Sequence, residues 1–148
     1  MGSDAVTSPS GWLNWALLSA TFAALTAIFA KIGVANVNSD LATFIRTVVI
    51  VVALGIVVSA RGLLQQIGDI SPRTYVFLIL SGLATGASWF CYFRALQLGD
   101  VALVAPIDKL GIVLVAIFGV TFLGETLSPR NWLGIAMIPF GAVLVAWR

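Results

Sequence analysis

Apolar residues run along this chain in long blocks separated by short polar punctuation. A helix rises about 1.5 Å per residue and a bilayer core is about 30 Å thick, so an apolar block of about 20 residues can cross it. Blocks at 12–34, 41–60, 73–94, 101–123 and 132–147 meet or approach that length. The last covers roughly 24 Å and stands near the lower limit. The pattern predicts an all-α polytopic membrane protein, a five-transmembrane-helix bundle. A flexible leader is expected over 1–10, followed by one transmembrane domain over 11–148.

The punctuation agrees with this division. Ser8-Pro9, Ser71-Pro72 and Ser128-Pro129 each precede an odd-numbered block. Serine at an N-cap satisfies an orphan amide, and proline in the first turn gives up no hydrogen bond. Ser39 or Asp40 is expected to cap the second helix and Asp100 the fourth, while Gly99 and Gly124 stand where helices stop. Trp12, Trp15, Trp132 and Trp147 fall at predicted helix ends, where an amphipathic ring prefers the headgroup zone. Trp89 falls inside the third helix. The first block follows no Lys or Arg and exceeds 20 residues, so it reads as a retained helix rather than a cleaved signal. Between the second and third blocks, 61–71 has room for a short amphipathic surface helix around Leu63, Leu64 and Ile67.

Composition narrows the class further. Sixty per cent of the 148 residues are hydrophobic and 9% are charged, against about 25% charged in a soluble domain. So few charges cannot cover the surface of a soluble enzyme. A net charge of +2 supplies no basic stripe for nucleic acid. With no histidine and a single cysteine, Cys91, the chain has no Cys/His metal cluster and no internal disulfide framework. No cofactor is implied. An intramembrane enzyme is disfavoured by the lack of histidine, of paired carboxylates on one helix and of a Ser/Lys or Asp/Asp motif. Orientation is poorly specified. Arg61, Arg73 and Arg130 belong to one face of the membrane, and Lys31, Arg94 and Arg148 to the other. The tie has two readings: either a partner or the first helix decides, or the chain inserts both ways and pairs with its inverted self.

Charges inside the blocks are the candidate chemistry. Arg46 lies roughly 8 Å into the second helix and Lys109 roughly 12 Å into the fourth. A charge at the bilayer centre costs at least about 2.5–3.5 kcal/mol, so each needs a partner or a wet cavity. Arg46 has a second reading, snorkelling back to the near interface. Asp108 precedes Lys109; on a regular helix the two point about 100° apart, so each is expected to meet a different helix, with Arg46 a partner for Asp108. Lys31 and Arg94 lie near helix ends as interfacial anchors or cavity residues, and Glu125 follows the fourth helix. Pro106 frees a carbonyl beside this charged pair and marks a kink near the site. The run of Trp89, Phe90, Tyr92 and Phe93 circles its helix, and its inner members can line a cavity. Gly82-x-x-x-Gly86, and Ser19, Ala23 and Ala27, offer small-residue faces for helix packing.

The segment Arg94-Ala-Leu-Gln-Leu-Gly-Asp-Val-Ala-Leu-Val-Ala-Pro106, the later Phe122-Leu-Gly-Glu-Thr-Leu-Ser128, Phe29-Ala-Lys31 and Phe44-Ile-Arg46 together resemble an EamA repeat of the drug/metabolite transporter superfamily. The resemblance covers nearly the whole chain. It implies a half-size member, because full-length relatives carry two inverted five-helix repeats around a central cavity. It further implies a secondary transporter or permease subunit exporting a small metabolite, amino-acid-like or a related solute, across the bacterial inner membrane. The implied partners are the lipid bilayer, the solute, and either a second copy in a homodimer, antiparallel where the chain inserts both ways, or another half-size subunit. Carried over by position, the cavity residues are Lys31, Arg46, Asp108 and Lys109; Trp89 and Tyr92 join them from the aromatic run of the third helix. A non-transporting membrane scaffold and a lipid-linked flippase subunit are the competing classes.

Overall fold

The computed structural model describes residues 11–147. The leader expected over 1–10, the Ser8-Pro9 cap and Arg148 lie outside the described residues. Six α-helices follow one another: α1 Gly11–Val34, α2 Ser39–Ala60, α3 Pro72–Leu98, α4 Val101–Asp108, α5 Gly111–Phe122 and α6 Pro129–Ala146. The fourth apolar block is thus divided between α4 and α5. Counted as one span, Val101–Phe122 joins α1, α2, α3 and α6 as the five helical segments long and apolar enough to cross a membrane. No strand occurs among the described residues. The chain is an all-α, multi-pass membrane protein.

Local signals account for most boundaries. Ser71 Oγ accepts from the Thr74 amide and Ser128 Oγ from the Asn131 amide, each with proline next in the chain at the first helical position. Asp100 occupies the N-cap position of α4. The α2 cap differs from the expectation of Ser39 or Asp40. Asn38 Oδ1 accepts from the amides of Asp40 at 2.8 Å and Leu41 at 3.4 Å. Asn38 is the residue that still has extended backbone, so it alone has its side chain free to fold back over the first turn. Ser39 is instead fully packed, and its hydroxyl donates to Asp40. Between α2 and α3, Leu63–Asp69 forms a 3-10 helix where a short surface helix was expected. Gly62 enters it at φ +68°, a left-handed conformation that glycine adopts without Cβ strain. Tyr75 donates its hydroxyl to the Ile67 carbonyl at 2.7 Å, tying the 3-10 helix to α3.

The fourth block does more than kink. Pro106 has no N–H for the Ala102 carbonyl, and the helix ends two residues later at Asp108. Around the break the bonds tighten to i→i+3: Lys109 N donates to Pro106 O at 3.1 Å and Leu110 N to Ile107 O at 3.0 Å. Ile112 and Val113 repeat that spacing, to Lys109 and Leu110, before α5 settles into α-helical geometry. The single helix expected over 101–123 is therefore two half-helices joined at Lys109 and Leu110.

α3 is central, packing against α1, α2 and α4, while α6 lies on α4 and α5. The densest packing is at one end of the bundle, where Ala30 and Val34 of α1 meet Phe93 and Leu96 of α3. Gln97 of α3 reaches the Val37 carbonyl in the α1–α2 turn at 3.1 Å and closes that end. Elsewhere, large apolar side chains point outward, for instance Val48, Val49, Val51, Val52 and Leu54 of α2. In lipid such faces are solvated, because hydrocarbon tails are as apolar as the side chains. The packing expected from Gly82 and Gly86 does not occur within the chain, since a Cβ added at either meets nothing within 4 Å. Of the other small-residue face, Ala27 is buried whereas Ser19 and Ala23 are exposed. Gly82 and Gly86 lie eleven and seven residues before Phe93, on the same side of α3, so the glycines are open because no neighbouring helix comes close at their level and not because they face away from α1.

The cap makes a direct prediction. Asn38→Ala should lower unfolding stability by about 1 kcal/mol, and Asn38→Asp should retain most of it. Thermal unfolding of the two variants in nanodiscs measures the difference; equal stability of wild type and Asn38→Ala would return the cap to a neighbouring residue.

Candidate functional site

A cleft of about 200 Å3 opens where α1, α2, α3 and the α4–α5 break converge. Arg46, Trp89, Tyr92, Asp108 and Lys109 all line it, with Ala23, Thr26 and Ser88 completing the wall. Five of the six residues expected at a cavity are therefore brought together. Their depths match. Arg46 is seven residues from the start of α2, Trp89 nine from the end of α3 and Lys109 eight from the start of α4. At about 1.5 Å per residue these are roughly 10, 13 and 12 Å from the same face of the bilayer. Charges and aromatic rings form one layer well inside the hydrocarbon.

Arg46 points inward. Its guanidinium carbon lies 3.9 Å from the Trp89 ring centroid and 5.4 Å from that of Phe93. Stacking on an aromatic face stabilises a guanidinium by about 2 kcal/mol where water is scarce. This placement replaces the snorkelling alternative: the side chain spans from α2 to α3 instead of climbing to the headgroups. Trp89 and Phe93 are one turn apart on α3, as are Ser88 and Tyr92. The helix thus presents an aromatic row to Arg46 and a more polar row to α4.

Asp108 and Lys109 pair with each other, Nζ to Oδ2 at 2.9 Å, where divergence and an Asp108–Arg46 partnership were expected. The 100° rule applies to a continuous helix, and α4 ends at Asp108. Lys109 belongs to the turn, so its long stem can curl back over the preceding carboxylate. Both side chains remain partly accessible, 55% for Lys109 and 36% for Asp108. The pair faces the cleft and can exchange partners without unpacking a core.

Lys31 stands apart from this layer. Its ammonium donates to the carbonyls of Leu96 and Gly99, each at 2.7 Å. The last carbonyls of a helix lack intrahelical donors and carry partial negative charge, so a lysine satisfies both needs. Arg94 donates to Gln97 at 3.0 Å near the same end. Glu125 folds back on Gly119 of α5, where an added Cβ would come within 2.6 Å of its carboxylate oxygen. Within the aromatic run, Phe93 is buried, Trp89 and Tyr92 are half-buried and Phe90 is exposed.

Thr26 and Ser88 were not singled out from the sequence, whereas Phe93 was named in the aromatic run. Ser88 lies four residues before Tyr92, a spacing that could have flagged it. Nothing comparable marks Thr26 among the small residues of α1.

Inward charges at an interrupted span are an arrangement that membrane transport proteins use. The EamA-like transporter family model matches residues 10–147. The chain belongs to that family, and its five spans fit a half-size member. Among curated proteins, it is 64% identical over 135 residues to one from Sinorhizobium sp. named "Uncharacterized transporter in cobO 3'region", covering 91% of this chain and 96% of that one. It is 31% identical over 75 residues to the probable 4-amino-4-deoxy-L-arabinose-phosphoundecaprenol flippase subunit ArnE of Yersinia pestis, covering 51% of this chain and 66% of ArnE. The ArnE of Yersinia pseudotuberculosis matches to the same extent. No solved structure gives a significant match.

The Lys31 geometry is testable against its alternative. Lys31→Met should cost about 2 kcal/mol of stability through the loss of charge-assisted hydrogen bonds. Chemical unfolding in mild detergent measures it. An undiminished stability together with a loss of solute binding would move Lys31 into the cavity.

Proposed function

We propose that this chain is one half of a secondary transporter that exports a small metabolite, amino-acid-like or a related solute, across the bacterial inner membrane. Two copies in inverted orientation enclose the site and rock about it. The observation that carries this reading is the break in the fourth span, which sets Asp108 and Lys109 against Arg46, Trp89 and Tyr92 inside the bilayer. Broken helices free backbone groups and permit small rigid-body movements, and transporters place binding sites at such breaks. The membership of the EamA-like family supports the same class.

Inverted pairing is supported by the equal division of Lys and Arg between the two faces, and by apolar and small-residue faces that pack on nothing within the chain. In the working cycle Lys109 and Arg46 attract the anionic part of the solute. Asp108, released from Lys109, takes a proton or the solute's cationic group. The aromatic rings cover the remainder. Rocking of the two halves then exposes the site to one side of the membrane at a time.

The similarity to ArnE supports a second reading, in which the chain is a subunit of a flippase for a lipid-linked solute and its partner is a different half-size protein. In both readings the cleft holds the polar group and the second subunit closes it.

Reporters fused after the C-terminus should appear on both sides of the membrane in comparable amounts. A single orientation would exclude the self-inverted dimer and favour a distinct partner. In proteoliposomes loaded with a labelled metabolite mixture, Asp108→Asn and Lys109→Met should each slow counterflow about tenfold or more, which corresponds to about 1.4 kcal/mol of barrier. Full counterflow in both variants would make the charged pair a structural feature.

A further inference from the structure

The cleft has an unbalanced cation. Asp108 is engaged by Lys109 at 2.9 Å, and it is the one carboxylate among the cleft residues. Arg46 forms no ion pair among the described residues. Its flat face lies on Trp89, but stacking uses the π-face and leaves the N–H edges unused. Five donors diverge in the plane of a guanidinium in a fork that matches two oxygens of a carboxylate or phosphate. Among the described residues no hydrogen bond uses that fork.

Arg46 also stands on a boundary. Besides the polar cleft, it lines a second groove of about 370 Å3 between α1 and α2, floored by Phe93 and walled by Phe29, Ala30, Val37 and Ile45. Nearly all the accessible lining of that groove is apolar. Arg46 therefore borders a polar cleft on one side and an apolar groove on the other. A ligand that satisfies both carries an oxyanion at one end and an apolar body at the other.

From this arrangement we infer that Arg46 is the binding residue for the oxyanion of an amphipathic solute, a carboxylate or phosphate whose apolar portion occupies the α1–α2 groove. This rests on the transporter reading above and names the solute class. Trp89 holds the guanidinium edge-on to the incoming oxygens, so that both bonds of the fork can form at once. A free metabolite and a lipid headgroup share this chemistry.

The experiment compares oxyanions with neutral twins on the intact protein in phosphatidylcholine nanodiscs. Phenylpropionate against phenylpropionamide probes a free carboxylate. Undecaprenyl phosphate against undecaprenol, included in the nanodisc lipid, probes a headgroup. Calorimetry reads the first pair and photo-crosslinking competition the second. In at least one arm the oxyanion should bind about tenfold or more tightly than its twin, and the arm that responds identifies the source. Arg46→Gln should abolish that preference, and Arg46→Lys, which keeps the charge but lacks the fork, should restore only part of it. Equal binding of twins in both arms overturns the inference on wild-type protein alone, whatever the variants' folding. A preference that survives Arg46→Gln overturns it too.

Counterflow of the labelled mixture separates this inference from the transport reading. Movement confined to neutral or cationic solutes refutes the oxyanion while transport stands. Arg46-dependent oxyanion binding by vesicles that move no solute refutes soluble-metabolite transport and leaves the oxyanion site standing.

Discussion

An ionised side chain inside hydrocarbon must be given something to bind, and this constraint organises the bundle. Three of the cations, Lys31, Arg46 and Lys109, are accommodated in three ways. Lys31 is locked onto the carbonyls of Leu96 and Gly99, Lys109 onto the carboxylate of Asp108, and Arg46 onto the face of Trp89. The solutions differ in permanence. The Lys31 bonds draw on backbone groups that need a donor anyway, and they lie beside the packed contact of Val34 with Leu96. That end of the molecule is a fixed corner. The Asp108–Lys109 pair is partly accessible and sits on a turn, so its partners can change. Arg46 is held in position while its strongest donors remain available.

The fixed corner and the broken span depend on each other. α4 starts two residues after Gly99, whose carbonyl is bound by Lys31, and Val101 and Val104 of α4 pack beside the core of Phe93 and Leu96. This anchors α4 from its first turn. Pro106 then deprives the helix of a hydrogen bond, and the chain responds with tighter i→i+3 bonds at Lys109 and Leu110. A short rigid α4 followed by a turn sets Asp108 and Lys109 at the depth of Arg46. A continuous helix would have sent the two side chains to different neighbours.

Several of these features were legible in the sequence because they are local. Apolar block length gave the spans, serine–proline pairs gave two caps, and charges in apolar surroundings marked Arg46, Asp108 and Lys109. What was not legible depended on backbone geometry or on other helices. Asn38 rather than Ser39 caps α2 because of where the extended backbone ends, a choice among three neighbouring polar residues that composition does not make. The Asp108–Lys109 pairing was hidden because the 100° rule presumes a helix that Pro106 has already begun to end. The stacking of Arg46 on Trp89 joins residues 43 positions apart, and no pattern within α2 or α3 encodes it. Likewise, Gly82-x-x-x-Gly86 carries a packing signal with no packing partner in the chain, because such a motif names a face and not its occupant.

Depth gives the proposed inverted pair a mechanical consequence. The charged layer lies roughly 10–13 Å from one face of a core about 30 Å thick, so it is displaced from the midplane. In a pair related by a two-fold axis in the membrane plane, the second copy's layer lies at the same distance from the opposite face. Two Arg46 residues then flank the midplane, separated along the membrane normal by about 10 Å. That is about the length of a small solute. An oxyanion held by one guanidinium would be reachable from one side of the membrane, and tilting the two copies would pass it to the other. A parallel pair would place both layers at one depth and leave most of the hydrocarbon beyond them without a polar contact. The position of the layer thus adds to the charge count as support for the inverted pair proposed above.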